Sequence, residues 1–211
     1  MVPLWGSHAI EVSSGALSQQ SKVIIDAGHG GEDGGAVSCT GAYESHINLQ
    51  IAKRLNDFMH MLGQHTIMIR TDDRSIYTSG TTIAARKVSD IKERVRIANS
   101  MPKGLYISIH QNKFPDAKYH GTQVFYNSNP GSQELAESLQ DAMKTHLDPT
   151  NKRRSKKISG VYLMEHMKCT GVLVECGFLS NPLEERKLLT PDYQKKLAAI
   201  IAATASAYLD T

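Results

Sequence analysis

The chain has 211 residues, 40% of them hydrophobic and 6% aromatic, and a formal net charge of +3. That length supports one α/β domain whose core needs no disulfides. The mild charge and sparse aromatics give no footing for nucleic-acid binding, and no apolar run reaches the roughly 18 residues that span a bilayer.

The opening MVPLWGSH resembles an altered protease site and cloning remnant. Residues 1–20 are therefore set aside as a flexible N-terminal segment standing where a natural leader is expected, and 21–211 are read as the folded domain. Lys22 to Asp26 is the first expected strand, and Ile47, Ile51, Leu55, Phe58, Met59 and Leu62 recur at helical spacing, which predicts a helix over about 44–62 stopped by Gly63. His65 to Arg70 is a second strand, 71–85 a polar loop, and Ile91, Val95 and Ala98 mark a helix that ends near Pro102. Leu105 to His110 and Thr122 to Tyr126 follow as strands, Ser132 to Leu147 as a helix, Val172 to Cys176 as a buried strand and Pro191 to Leu209 as a closing helix. Alternation of this kind predicts a twisted, mostly parallel or mixed sheet covered on both faces. The charged run DPTNKRRSKKIS, 148–159, reads as a solvated loop or as a basic rim facing an anionic substrate or partner.

Chemistry concentrates where apolar strands end. The first strand runs into VIIDAGHGGEDGGA, a histidine among five glycines, yet the loop lacks both the G-x-G-x-x-G order and the lysine of a phosphate cradle. In α/β sheets the working crevice lies beyond the carboxyl ends of the strands. There stand His29 after strand one, His110 closing LYISIH and Glu175 within VLVEC, with Glu44 opening the following helix. Two imidazoles and a carboxylate are a known zinc ligand set, and a second carboxylate would serve the proton transfers of a hydrolysis. The glycines would then keep the loop slim around the metal and a polymeric substrate.

Plainer roles compete for the same residues. His29 suits an ordinary hydrogen-bonding role, and Glu44 a carboxylate favoured at a helix N-terminus. Glu175 is harder to dismiss, since an unpaired carboxylate in an apolar strand is costly. Cys176 faces opposite Glu175 by strand alternation and is expected in the core. The three cysteines, Cys39, Cys169 and Cys176, leave an odd count with no C-x-x-C spacing, so neither a disulfide scaffold nor a zinc ribbon is indicated. His46 points away from Glu44, His60 and His65 flank a turn, and His120, His146 and His166 lack support.

The blocks DAGHGGEDGGA, Glu44 with INLQIAKRL, ERVRIAN, ISIHQN and VLVECGFLSN together resemble the zinc-dependent N-acetylmuramoyl-L-alanine amidases of the amidase-3 type, over roughly 22–209. The resemblance implies a sheet of about six strands with flanking helices, and hydrolysis of the amide between the lactyl group of N-acetylmuramic acid and L-alanine of the peptidoglycan stem peptide. It implies one Zn2+ per chain on His29, Glu44 and His110, and Glu175 as the catalytic glutamate. Gln111 departs from the alanine usual in ISIHAN and is expected to alter the local rim. KVSDIKERVRIAN and the single-domain layout are most similar to the germination-specific amidases of spore formers. This implies action on spore cortex peptidoglycan as a step towards muramic-δ-lactam, and an exported protein at the outer side of the membrane or in the spore cortex. A zinc peptidase cutting the stem peptide, a non-catalytic peptidoglycan-binding domain and a phage endolysin are the competing readings. No helix is evident that would plug the crevice, so control is expected from location, metal supply or an activating partner protein, with the 71–85 loop and the basic 152–157 run as candidate contact surfaces for the last.

Overall fold

A computed structural model describes residues 23–211; the expectations for residues 1–20 and for Lys22 lie outside the described residues. The elements are β1 (Val23–Ala27), α1 (Glu44–Met61), β2 (Thr66–Met68), α2 (Ile83–Asn99), β3 (Leu105–Asn112), β4 (Gln123–Tyr126), α3 (Ser132–His146), β5 (Lys156–Lys157), α4 (Tyr162–His166), β6 (Thr170–Phe178), α5 (Pro182–Leu188) and α6 (Pro191–Leu209). The strands form a six-stranded sheet in the order β2-β1-β3-β6-β4-β5, parallel throughout except where β4 runs antiparallel to β6. The expected α/β class and mixed sheet are therefore present.

Strand alternation divides the sheet into two unlike faces. Val23, Ile25 and Ala27 of β1, Ile107 and Ile109 of β3, and Val172, Val174 and Cys176 of β6 join one large apolar cluster. α1, α3 and α6 cover it, α1 laying down Ile47, Ile51, Leu55 and Met59 at four-residue spacing. Cys176 is thus a core residue, as alternation requires, and all three cysteines are free. On the opposite face Ile24, Tyr106 and Leu173 form a smaller cluster with Ala98 of α2 and Leu163 and Met164 of α4.

Three expectations need correction on this thinner face. α2 begins at Ile83, inside the stretch read as a polar loop, where Thr82 caps it by accepting from the Ala85 amide at 3.2 Å. Its buried positions are Asp90, Arg94 and the expected Ala98, so the stripe that faces the sheet is largely ionic, with Val95 half-buried against the smaller cluster and Ile91 on the side of a cleft. Lys156 and Lys157 of the basic run are an edge strand, β5, paired in parallel with Phe125 and Tyr126 of β4. The short helices α4 and α5 carry too few residues to show a period.

The antiparallel β4 shapes the rim. β3 ends at Asn112 and β4 starts with Gln123 opposite Glu175, so 113–122 arches across the end of β6 and stays at the carboxyl end of β3 and β6. This arch is pinned by the Phe114 amide donating to Ser180 Oγ (3.1 Å), Asn181 Nδ2 donating to the Ala117 carbonyl (2.9 Å) and the Gly121 amide donating to Glu184 (2.9 Å).

Candidate metal centre

The carboxyl ends of β1, β3 and β6 lie side by side, and each brings one polar group to the thinner face. His29 follows β1, and His110 of β3 is paired in register with Glu175 of β6. Glu44 arrives from the other layer as the first residue of α1. His29, Glu44 and His110 each offer one ligand atom, and these atoms all lie within 4.8 Å of one another. His29 Nε2 stands 3.3 Å from Glu44 Oε2, and His110 Nδ1 stands 3.0 Å from Glu44 Oε1. The two rings meet edge to face with centroids 5.0 Å apart.

Glu44 is buried at the centre of this group. Its carboxylate accepts from the amides of Ala36 (2.9 Å) and Gln111 (3.0 Å) and from Asn48 Nδ2 (3.2 Å). Burial would raise its pKa, but the His110 and His29 rings outweigh that and hold it below the usual carboxylate range. Gln111 is itself buried and donates to Asn48 Oδ1 at 3.1 Å, so the departure from alanine adds to the packing behind Glu44 instead of altering the rim. Burial likewise opposes ionisation of His29, yet hydrogen bonds to Asp33 and Glu44 bring its pKa up to about 9.

The glycines earn a more local explanation than room for a polymer. A Cβ on Gly28 would sit 2.2 Å from the His110 ring, and one on Gly35 2.7 Å from both Glu44 Oε2 and His29 Cδ2. The space they leave is filled by the three candidate ligands. His29 has φ of +63°, the one non-glycine residue in the left-handed region among the described residues, a conformation that costs roughly 1–2 kcal/mol.

Two buried arginines hold that strained turn. Arg70 donates to the carbonyls of Ala27 (2.8 Å), Gly28 (3.0 Å) and Ser45 (2.8 Å). Arg94 donates to the carbonyls of His29 (2.9 Å) and Ala27 (3.2 Å) while pairing with Asp26 and Asp90. Asp33 accepts from His29 Nδ1 at 2.8 Å and pairs with Lys87 of α2 at 2.7 Å. Sequence reasoning passed over these supports. The i,i+4 pair Asp90 and Arg94 within KVSDIKERVRIAN and the buried aspartate near the end of β1 were the available signals.

Glu175 lies on the wall of a cleft of about 310 Å³ that also reaches His29 and His110. Its Oε2 is buried with no hydrogen-bond partner, and burial pushes its pKa up to about 7. A buried carboxylate oxygen left unpaired is unfavourable unless function requires it. The cleft's apolar walls come from Ile83 and Ile91 of α2, Tyr162 and Leu163 of α4, and Leu173. Ser75, Tyr77 and Ile158 also line it, so parts of the 71–85 and 148–159 stretches belong to the cleft. The other histidines stand elsewhere: His46 pairs with Asp73 at 2.9 Å, His60 meets Thr66, and His166 stacks on Tyr162.

The donor set, two imidazole nitrogens and a carboxylate oxygen, is that of a three-ligand zinc site with an open position. The glycine cradle leaves the ligand side chains no clash, so the residues present fit such an ion. No helix among the described residues is long and apolar enough to cross a membrane.

Comparison with known proteins identifies the family. The chain matches the family described as N-acetylmuramoyl-L-alanine amidase over residues 23–206. It is 39% identical over 189 residues to the germination-specific N-acetylmuramoyl-L-alanine amidase of Bacillus subtilis, covering 88% of this chain and 79% of that one. The solved CwlD amidase from Clostridioides difficile, in complex with the GerS lipoprotein, superposes with a TM-score of 0.85 at 35% identity, covering 90% of this chain and 98% of that one. An N-acetylmuramoyl-L-alanine amidase from Clostridium difficile 630 gives 0.77 at 31% identity, with 92% and 99% covered.

Proposed function

The chain belongs to the N-acetylmuramoyl-L-alanine amidase family of peptidoglycan hydrolases, and we propose that it removes stem peptides from spore cortex peptidoglycan, as a step towards muramic-δ-lactam, with His29, Glu44 and His110 holding one Zn2+ and Glu175 moving the proton. The observation that carries this reading is the buried, unpaired carboxylate oxygen of Glu175 on the wall of a cleft that also reaches His29 and His110, the two imidazoles clustered with Glu44. When bound, zinc supplies Lewis-acid polarisation of the scissile carbonyl and activation of the attacking water.

The remaining work falls to the chain. Glu44, fixed by two backbone amides and Asn48, keeps its carboxylate aimed between the two rings. The Glu175 carboxylate accepts the proton of the attacking water and returns it to the alanine nitrogen as the amide bond breaks, a general acid–base role worth about 10²–10⁴-fold in rate. Its partly apolar surroundings suit this, because a carboxylate with a raised pKa can both accept and give a proton near neutral pH. The apolar cleft wall excludes water from the far side of the scissile bond.

The proposal extends to setting. The protein acts outside the membrane, at the cortex, and a partner protein there contacts the rim made by 71–82. Asp73 of this segment accepts from the Gly31 amide at 3.2 Å, next to the His29 turn, which supports a partner's reaching the metal loop from that side.

The test is a cortex muropeptide digest that scores new N-terminal L-alanine against released D-amino acids. New N-terminal L-alanine that disappears on chelation and returns with added Zn2+ is expected. Released D-amino acids, or full activity after complete metal removal, would refute the reading.

A further inference from the structure

The elements that hold His29 converge from α2, which shows no strong apolar stripe toward the sheet. Its buried positions are an aspartate, an arginine and an alanine. A buried ion pair is not an economical way to stabilise a helix, since apolar residues of similar volume do as well or better. The use made of these charges is therefore informative. Arg94 spends its guanidinium on Asp26, Asp90 and the Ala27 and His29 carbonyls, the last being the residue in the left-handed conformation.

A second route from α2 reaches the imidazole. Lys87 Nζ pairs with Asp33 Oδ1 at 2.7 Å, and Asp33 Oδ2 accepts from His29 Nδ1 at 2.8 Å. The Asp33 backbone is fixed by reciprocal hydrogen bonds with Gly30, at 2.8 and 3.2 Å. A carboxylate only accepts when ionised, so Nδ1 must carry the proton and Nε2 is the nitrogen turned toward Glu44. Histidines that bind metals are commonly oriented in this way by a hydrogen-bonding partner on the other nitrogen.

We infer that α2 is a positioning element for metal capture: Arg94 sets the backbone of His29 and the Lys87–Asp33 pair sets its ring, so that Nε2 is presented to the ion before the ion arrives. Arg94 and Asp33 are positioning residues for the metal, and neither touches the substrate bond. This inference rests on the reading of His29 as a metal ligand.

The experiment uses the full chain, freed of metal by chelation and dialysis. Zinc affinity is measured by competition with a chromophoric chelator, melting is measured on the metal-free protein, and the His29 Nδ1 proton is followed by NMR in the zinc-loaded protein. Asp33→Ala is expected to weaken zinc binding about 10–100-fold, to leave metal-free melting unchanged and to lose the slowly exchanging Nδ1 proton. Asp33→Asn, which can still accept from Nδ1, should recover part of the affinity. Arg94→Lys keeps a charge beside Asp26 but loses the forked donors, and should also weaken zinc. Arg96→Ala, on the exposed side of α2, should change nothing.

Should Arg94→Lys fail to fold, the Asp33 variants decide alone. Asp33→Ala binding zinc as tightly as the wild type, or losing affinity only in proportion to metal-free stability, would overturn the inference while leaving the proposed function intact. A wild-type chain that takes up no zinc would overturn both.

Discussion

On one side of the sheet, α1, α3 and α6 press aliphatic side chains onto β1, β3 and β6 in a continuous apolar layer. On the other, α2 and α4 cover a smaller cluster, enclose a cleft and approach the strands through Asp26, Asp90 and Arg94. The same strands supply both, residue by residue: Ile109 and Val174 look into the thick layer, while their neighbours His110 and Glu175 look into the thin one. One face carries most of the burial that holds the fold, and the other tolerates strain, unpaired oxygen and buried charge where chemistry needs them.

Substitutions on the two faces should therefore separate stability from turnover. The largest effect is expected for Glu175→Gln, which should lower hydrolysis about 10²–10⁴-fold while melting and zinc stoichiometry stay at wild-type values. Near-normal turnover with zinc bound would remove Glu175 from its role. Next, Leu55→Ala in the thick layer should cost about 2–5 kcal/mol in denaturant unfolding, with kcat retained below the melting transition. A kcat that fell in step would show that the faces are not separable.

A smaller effect concerns the ion pair beneath the cleft. Burial alone would raise the Asp26 pKa, but Arg94 above all holds it below its ordinary 3.8. A group depressed on folding adds stability at pH values above its unfolded pKa and loses that stability as pH falls through the folded value. Wild-type melting should thus drop below about pH 4, and Asp26→Asn, less stable at neutral pH, should show a shallower acid limb. An unchanged acid limb would disprove the coupling. Smallest of all, Cys176→Ala should cost about 1 kcal/mol and leave turnover unaffected; lost turnover would mean that the thiol takes part in the chemistry.

The contrast also explains what was legible in the sequence. α1 and α6 and the central strands serve the thick layer, so their apolar period is plain and their bounds were read to within a few residues. The clustering of His29, Glu44 and His110 was legible because each sits at an abrupt change from apolar to polar, near the end of a strand or at the start of a helix, and Glu175 stood out as a lone carboxylate within an apolar strand. α2 was started too late because its buried stripe is Asp90, Arg94 and Ala98, of which a hydrophobic pattern reports only Ala98. β5 was hidden because a strand of two exposed lysines has no period at all. The role of Asp33 depends on a turn that folds it back on His29, and only the backbone geometry of that turn reveals it.

The arch over 113–122 leaves β3 and enters β4 at the same end of the sheet, and it is pinned to Ser180, Asn181 and Glu184. Lengthening it would disturb neither the strand pairing nor either apolar layer, and closing a longer surface loop adds only slowly to the entropy of folding. It is therefore the natural splice point of this architecture, where a module grafted by recombination would land beside the strand that carries Glu175 while the scaffold beneath went unaltered.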